Sequence, residues 1–308
     1  SLSGSFRRTY FDKTVAKYID DIPDYYFYDG HVKAFFDLDN RNKITVSTYF
    51  GQDHLDYLLE MKKSDDIAFK YHWGNTTGSL RWTHIFSPDM FSNFWVTTSH
   101  YSSDFLFEIV EEKNEINDLS FKGDLEYFYS PQFSTKFGFE YKNLNGLLYQ
   151  DFPGGQVDVT RTMNHFAGYA QSSWRPSPLW NITAGVRYNY FNSNKSYSNF
   201  SPRFAAKYRL TNTINLKASV GTFRQFLFKI PRTFIVDIWT NADENYKYSS
   251  ANHYIVGFQK EVARNYEVEI ETYYKSYSNI YTLDHFFYTD LQPDRYTSDG
   301  VPVYGSSQ

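Results

Sequence analysis

Residues 181–190, Asn-Ile-Thr-Ala-Gly-Val-Arg-Tyr-Asn-Tyr, decide the fold. Ile182, Ala184, Val186, Tyr188 and Tyr190 alternate with Asn181, Thr183, Gly185, Arg187 and Asn189. Successive side chains of an extended strand point to opposite faces, so this two-residue period describes a strand with one apolar and one polar face. The period recurs outward along the chain. Val32, Ala34, Phe36 and Leu38 show it, as do Ile44, Val46, Thr48 and Phe50. So do Leu119, Phe121, Leu125 and Tyr127, then Phe137, Phe139 and Tyr141. Ile214, Leu216, Ala218 and Val220 carry it further, and Tyr266, Val268, Ile270, Thr272 and Tyr274 close the series. The intervening positions are charged: Lys122, Asp124 and Glu126; Lys136, Glu140 and Lys142; Glu267, Glu269, Glu271 and Lys275. In 91–101 and 164–174 the alternation is too mixed to assign faces. Helical periodicity is not sustained anywhere, and only Thr14–Asp21 reads as a helical turn.

Alternation alone fits a soluble sandwich as well as a membrane wall. Strand length separates them. These runs reach about 9 to 13 residues, whereas soluble strands are typically about five or six and a tilted membrane-crossing strand needs roughly 9 to 11. The connections also sort by length. Asp39–Asn42, Ser87–Met90, Ser130–Phe133, Pro176–Leu179, Thr211–Thr213 and Ala263–Asn265 are short and rich in turn formers. Between them lie Phe11–Pro23, Gln52–Tyr71, Phe105–Glu115, Tyr149–Thr162, Phe223–Ser249 and Leu283–Gln308, which read as long loops, with Asn192–Asn199 a shorter member. Every second connection is short, as in up-and-down strands with brief periplasmic turns and larger extracellular loops. The expected fold is therefore all-β, a transmembrane antiparallel up-and-down β-barrel. About thirteen strands are counted; an odd number does not close a bacterial barrel, so the barrel is expected to be incomplete unless Asp284–Asp290 hides one more.

Composition agrees. The chain of 308 residues holds 29 Tyr and 29 Phe, yet its mean hydropathy is −0.58. An aromatic-rich, hydrophilic chain without a long apolar run suits a wall with one greasy and one wet face, and excludes a transmembrane helix. Aromatic residues crowd strand ends, at Tyr25–Tyr28, Tyr127–Tyr129, Trp174 and Trp180, as in interfacial girdles. Net charge is −4 without a basic block, which excludes nucleic acid as a partner. No cysteine is present, so disulfide and thiol chemistry are excluded.

Catalytic constellations are missing from the sequence. The eight His form no helical His-x-x-x-His pair, and a Gly-x-Ser-x-Gly elbow or phosphate-cradling Gly-rich loop is lacking. Asp65-Asp66 and Glu111-Glu112 read as solvated loop carboxylates, and Gly154-Gly155 as a turn. Neither an enzyme, a metal nor a cofactor is expected. Binding belongs on loops carried by a rigid scaffold. The candidates are Arg224, Arg232, Trp239 and Tyr246 in the longest inner loop, with Tyr149, Phe152 and Arg161 in a neighbouring one, offering charge and stacking surface.

Several segments together resemble one family. Trp180-Asn-Ile-Thr-Ala-Gly-Val-Arg187-Tyr188, then Phe200-Ser-Pro-Arg-Phe204, then Tyr208-Arg-Leu210 and Asn215-Leu-Lys-Ala-Ser-Val-Gly221 are similar to successive barrel strands of TonB-dependent receptors. Phe6–Asp12, Trp73–Asn75 and Ser79–Trp82 look like strands of such receptors from Bacteroidetes and relatives. The resemblance covers most of the chain. It implies a barrel of about 22 strands with a plugged lumen, in the bacterial outer membrane. It also implies active uptake of a scarce solute (siderophore, cobalamin, glycan or peptide) energised through TonB. Expected partners are outer-membrane lipid, the TonB complex through the plug, the solute and a surface lipoprotein. Residues 1–308 are expected to be the partial barrel domain, with the plug and the C-terminal strands outside this sequence. The rival readings are a passive porin or structural barrel, and a soluble all-β binding protein.

Overall fold

Two adjacent rows of residues, read across the strands, define the wall. One runs Lys43, Thr83, Asn93, Asp124, Gly138, Tyr169, Arg187, Ser201, each directly opposite the next. The row one residue along each strand runs Ile44, Trp82, Phe94, Gly123, Phe139, Gly168, Tyr188, Phe200. Paired residues share a face, so the first row lies on one side of the sheet and the second on the other. The polar face is the lumen and the aromatic face meets lipid.

The computed structural model describes residues 1–15, 17–19, 22–59, 67–230, 238–263, 266–281, 295–298 and 302–304. Its strands are β1 (Leu2–Arg8), β2 (Asp24–Asp37), β3 (Asn42–Leu59), β4 (Ile67–Ser87), β5 (Met90–Phe107), β6 (Val110–Ser130), β7 (Phe133–Phe152), β8 (Gly155–Trp174), β9 (Trp180–Asn192), β10 (Ser196–Arg209) and β11 (Ile214–Gln225). A small hairpin follows, β12 (Leu227–Ile230) and β13 (Ile238–Asn241), and then β14 (Ser249–Ala263) and β15 (Tyr266–Ser278). The sheet order β1 to β11, then β14 and β15, is sequential and antiparallel, which makes thirteen wall strands as counted from the sequence. β1 and β15 are the two edges, so the wall is open among the described residues. Short β16 (Arg295–Tyr296) and β17 (Pro302–Tyr304) attach to β8 by a parallel bridge. None of the described helices is long and apolar enough to cross a membrane; the strands do the crossing.

The expected short turns Asp39–Asn42, Ser87–Met90, Ser130–Phe133, Pro176–Leu179 and Thr211–Thr213 are found, and Ala263–Asn265 falls mostly outside the described residues. The expected long loops are corrected in part. Phe105–Glu115 and Tyr149–Thr162 are not loops: β5 joins β6 through Glu108 and Ile109, and β7 joins β8 through Pro153 and Gly154. Glu108 takes φ 57° and Gly154 φ 109°, the left-handed conformations that let two-residue hairpins close. The strands are accordingly longer than the 9 to 13 residues expected; β4 and β6 have 21 each, β7 and β8 have 20. The cause is physical. Outside the membrane both faces of a hairpin are wet, the two-residue apolar period vanishes, and the ladder continues on backbone hydrogen bonds alone. At about 3.3 Å per residue and a tilt near 40°, a 20-residue strand stands roughly 50 Å tall, about twice the ~25 Å apolar band. The helical turn also falls earlier than expected, at Phe11–Thr14. Asp284–Asp290 lies outside the described residues.

The lumen face is tied laterally by polar contacts. Thr83 Oγ1 donates to Asn93 Oδ1 at 2.7 Å, and Asn93 Nδ2 to Asp124 Oδ1 at 3.1 Å. Arg187 pairs with Glu140 across the intervening strand, and Lys142 reaches the same carboxylate at 3.3 Å. Lys217 spans β14 to pair with Glu269. The faces left unassigned from sequence resolve by register: Phe94, Val96 and Phe166 look outward and are 41–43% exposed, while Asn93, Trp95 and Tyr169 look inward.

Candidate functional site

Sheets of this kind have no apolar interior, so a buried apolar cluster in the lumen needs a second layer. The connection between β11 and β14 supplies it. Phe226 turns inward from the end of β11, 5% exposed, and stacks on Phe191 of β9 with centroids 4.8 Å apart and planes 10° off parallel. His165 lies 5.1 Å from the same ring and Tyr248 lies 5.4 Å away. Phe228 and Ala242 complete the layer over Ile116, Leu144 and Met163 of β6, β7 and β8. The β12–β13 hairpin therefore lies as a strap across the upper lumen.

Its far end is fixed by a tight polar turn. Asp243 Oδ1 accepts from the backbone N–H groups of Asn245 (2.8 Å) and Tyr246 (2.9 Å). That is an Asx turn, the local bonding that Asp favours. Tyr197 of β10 donates its hydroxyl to the Asp243 carbonyl at 2.6 Å. Asn241 Nδ2 reaches Ser193 Oγ in the β9–β10 turn at 3.1 Å, and the Ala242 N–H closes on the Phe226 carbonyl at 2.7 Å.

Between strap and wall lies a cleft of about 260 Å³. Its floor includes Asn114, Ile116, Arg161 and Met163, and its roof Trp239, Asn241, Asp243 and Tyr246. Arg161 is opposite Gly146, and both residues line the cleft. Trp239 meets Tyr101 of β5 edge-on at 6.1 Å. Asn114 is 1% exposed, yet its Nδ2 has no hydrogen-bond partner among the described residues; the same holds for Trp239 Nε1.

Three of the sequence-derived candidates, Arg161, Trp239 and Tyr246, therefore line one cleft although they come from two separate segments. The others do not join them. Arg224 sits on β11 with its guanidinium 5.6 Å over Tyr248, beside a neighbouring cleft of about 580 Å³ that Phe228 and Tyr281 also line. Tyr149 lies on the outward face of β7, where its hydroxyl donates to Asp151 Oδ2 (3.5 Å) and accepts from Gln156 Nε2 (3.4 Å). This part of β7 stands above the membrane, and burial, with Asp151 and Glu111 nearby, pushes the Tyr149 phenol above its ordinary range. Phe152 ends β7 at the hairpin tip, opposite Gly155. Arg232 lies outside the described residues. Asn114 was missed because it stands on a strand where a loop was expected, and Ile116 and Met163 each stand one residue beyond an expected loop, where no face was assigned. Asp243 was also missed, although Asp-Glu-Asn-Tyr carries the Asx-turn composition that could have found it. No group of three His, Asp or Glu able to hold a metal occurs among the described residues.

Comparison with known proteins places this geometry. A family model described as TonB dependent receptor-like, beta-barrel, matches residues 3–308. The ferric yersiniabactin uptake receptor FyuA from Yersinia pestis superposes with TM-score 0.67 at 12% identity, over 83% of this chain and 46% of that one. The copper transporter OprC gives TM-score 0.63 at 10% identity, over 84% and 46%. The RagAB peptide transporter gives 0.60 at 9% identity, over 83% and 41%. At these identities the likeness is one of fold, and the chain spans less than half the length of each of these solved proteins. No curated protein matches it in sequence.

Proposed function

The chain belongs to the TonB-dependent receptor-like β-barrel family, and from that premise we propose that it is wall and solute site of a receptor that captures a scarce solute outside the cell and admits it with energy relayed through TonB. Its place is the outer membrane. Residues 1–308 form the barrel portion of that receptor, and the plug that would meet TonB belongs to the remainder of the full-length protein. The solute contacts Arg161, Trp239 and Tyr246 in the upper cleft; Arg224 serves the neighbouring one. A surface lipoprotein seated on the tall hairpins is a further partner in this reading.

The observation that carries the proposal is the strap. A passive porin works through an open aqueous lumen. Here Phe226 and Phe228 fold an apolar layer inward against the wall, and the space that remains is a cleft with convergent polar groups, the usual form of a small-molecule site. The solved transporters that share the fold carry a ferric chelate, copper and peptides, which supports uptake as the role and leaves the solute to local chemistry.

The test uses cells producing the full-length receptor. Solute accumulation should stop when an uncoupler collapses the proton-motive force, while surface binding persists. Accumulation that continues unchanged under the uncoupler would overturn energised uptake and favour the porin.

A further inference from the structure

Three buried polar atoms in this region are unpaired; Asn114 and Trp239 line the cleft, and Ser103 adjoins Asn114 on the next strand. Ser103 on β5 and Asn114 on β6 stand directly opposite each other on the lumen face, and each is 1% exposed. Ser103 Oγ and Asn114 Nδ2 have no hydrogen-bond partner among the described residues. Trp239, packed on Tyr101 two residues along β5 from Ser103, has its Nε1 equally buried and unpaired. A buried polar group without a partner costs about 1–3 kcal/mol, so each one calls for an explanation, a bound group among them.

We propose that Ser103, Asn114 and Trp239 form a closed subsite for a neutral sugar ring, reached when the β12–β13 strap lifts from β5 and β6. This rests on the reading of the cleft as the solute site and names the class of solute.

Charge argues against an anionic chelate. Of the charged residues at the cleft, Glu115 shares the outward face of Lys113 and Tyr149, which leaves Asp243 and Arg161, so positive charge is not in excess. Glu115 is already paired with Lys113 at 2.9 Å, and Asp243 is held in its own turn. The unpaired groups are two N–H donors and one hydroxyl, which suit uncharged oxygen acceptors. The aromatic rings of Trp239 and Tyr246 supply flat apolar surface for the C–H face of a sugar ring. A peptide backbone would also need acceptors for its own N–H groups, and Asp243 already accepts from the Asn245 and Tyr246 N–H groups and from the Tyr197 hydroxyl.

The experiment uses the full-length receptor in detergent micelles and reads thermal shift and tryptophan fluorescence. Three probes are applied separately: a mixed digest of neutral glucan, xylan, mannan, galactan and chitin; a mixed peptide digest; and a ferric catecholate chelate. The sugar digest should raise the melting temperature. In Asn114→Leu and Trp239→Phe, both kept only if they retain heat-modifiable gel mobility, apparent affinity should fall at least tenfold. Asn114→Leu should meanwhile make the empty receptor more stable, because an orphaned amide has been replaced by an apolar side chain. A shift with peptide or chelate alone would overturn the sugar assignment and leave the receptor reading standing. No shift with any probe would overturn both. Full binding retained in both variants would show that the orphaned groups do not touch the solute.

Discussion

At the scale of single residues, glycine sets how closely the two faces of the wall are packed. A Cβ on Gly123 would lie 2.6 Å from Phe139 Cε1 on the lipid side. One on Gly138 would lie 2.8 Å from the Gly123 carbonyl, and backbone cannot step aside as a side chain can. Gly138→Ala should therefore destabilise the barrel by about 1–3 kcal/mol. The check is the temperature at which heat-modifiable gel mobility is lost; an unchanged value would contradict the packing. A second residue-scale expectation concerns Asp39, in the periplasmic turn between β2 and β3. Hydrogen bonds from the Asn42 side chain, then from the Arg41 and Asn42 N–H groups, hold its carboxyl below the ordinary range. A depressed folded pKa contributes stability that is present above the unfolded value, about 3.9, and lost as pH falls through the folded one. Protection of the Arg41 and Asn42 amides, relative to their intrinsic exchange rates, should be high at neutral pH and fall on acidification below about pH 4. In Asp39→Ala it should be low throughout.

Elements show how far sequence carries. Lipid-crossing portions of the strands were legible because one face is greasy and the other wet, which forces a two-residue period. Their upper halves were not, because both faces meet water there and nothing apolar marks the pairing. Tyr149 and Thr162 consequently read as loop, although β7 and β8 pair through them without a break. The strap hairpin escaped for another reason: its apolar residues are few and spaced by turns, and what they bury against comes from strands far away in the chain. Residue type still picked out Trp239 and Tyr246, since large aromatic side chains in a connection need somewhere to go. The strap's anchor gives the element-scale test. Phe226→Ala should cost about 3–5 kcal/mol of local stability. Proteolysis within 227–248 should rise several-fold while the wall strands keep their gel mobility. Equal loss of both would mean that strap and wall are one cooperative unit.

Across the whole molecule, the decisive quantity is what each face tolerates. Val256 of β14 faces outward and is 65% exposed, in the apolar band. Val256→Arg should cost about 2–4 kcal/mol if it lies near the bilayer midplane. Ser219→Arg, one position from lipid-facing Val220 but on the lumen side of β11, should be tolerated. Refolding yield into phospholipid vesicles distinguishes them, and equal yields would reverse the face assignment. Lateral ties such as Arg187 to Glu140 add to this division, because they join strands that are not neighbours and so stiffen the curve of the wall.

The wall is also uneven in height. β4, β6, β7 and β8 carry 20 or 21 residues, whereas β9 and β10 carry 13 and 14. By rise and tilt, the tall side projects some ~25 Å beyond lipid and the low side under ~10 Å. The strap rests on that low side through Ser193. A solute small enough to clear the low strands would meet the strap above 193–195 without passing the tips of β6, β7 and β8.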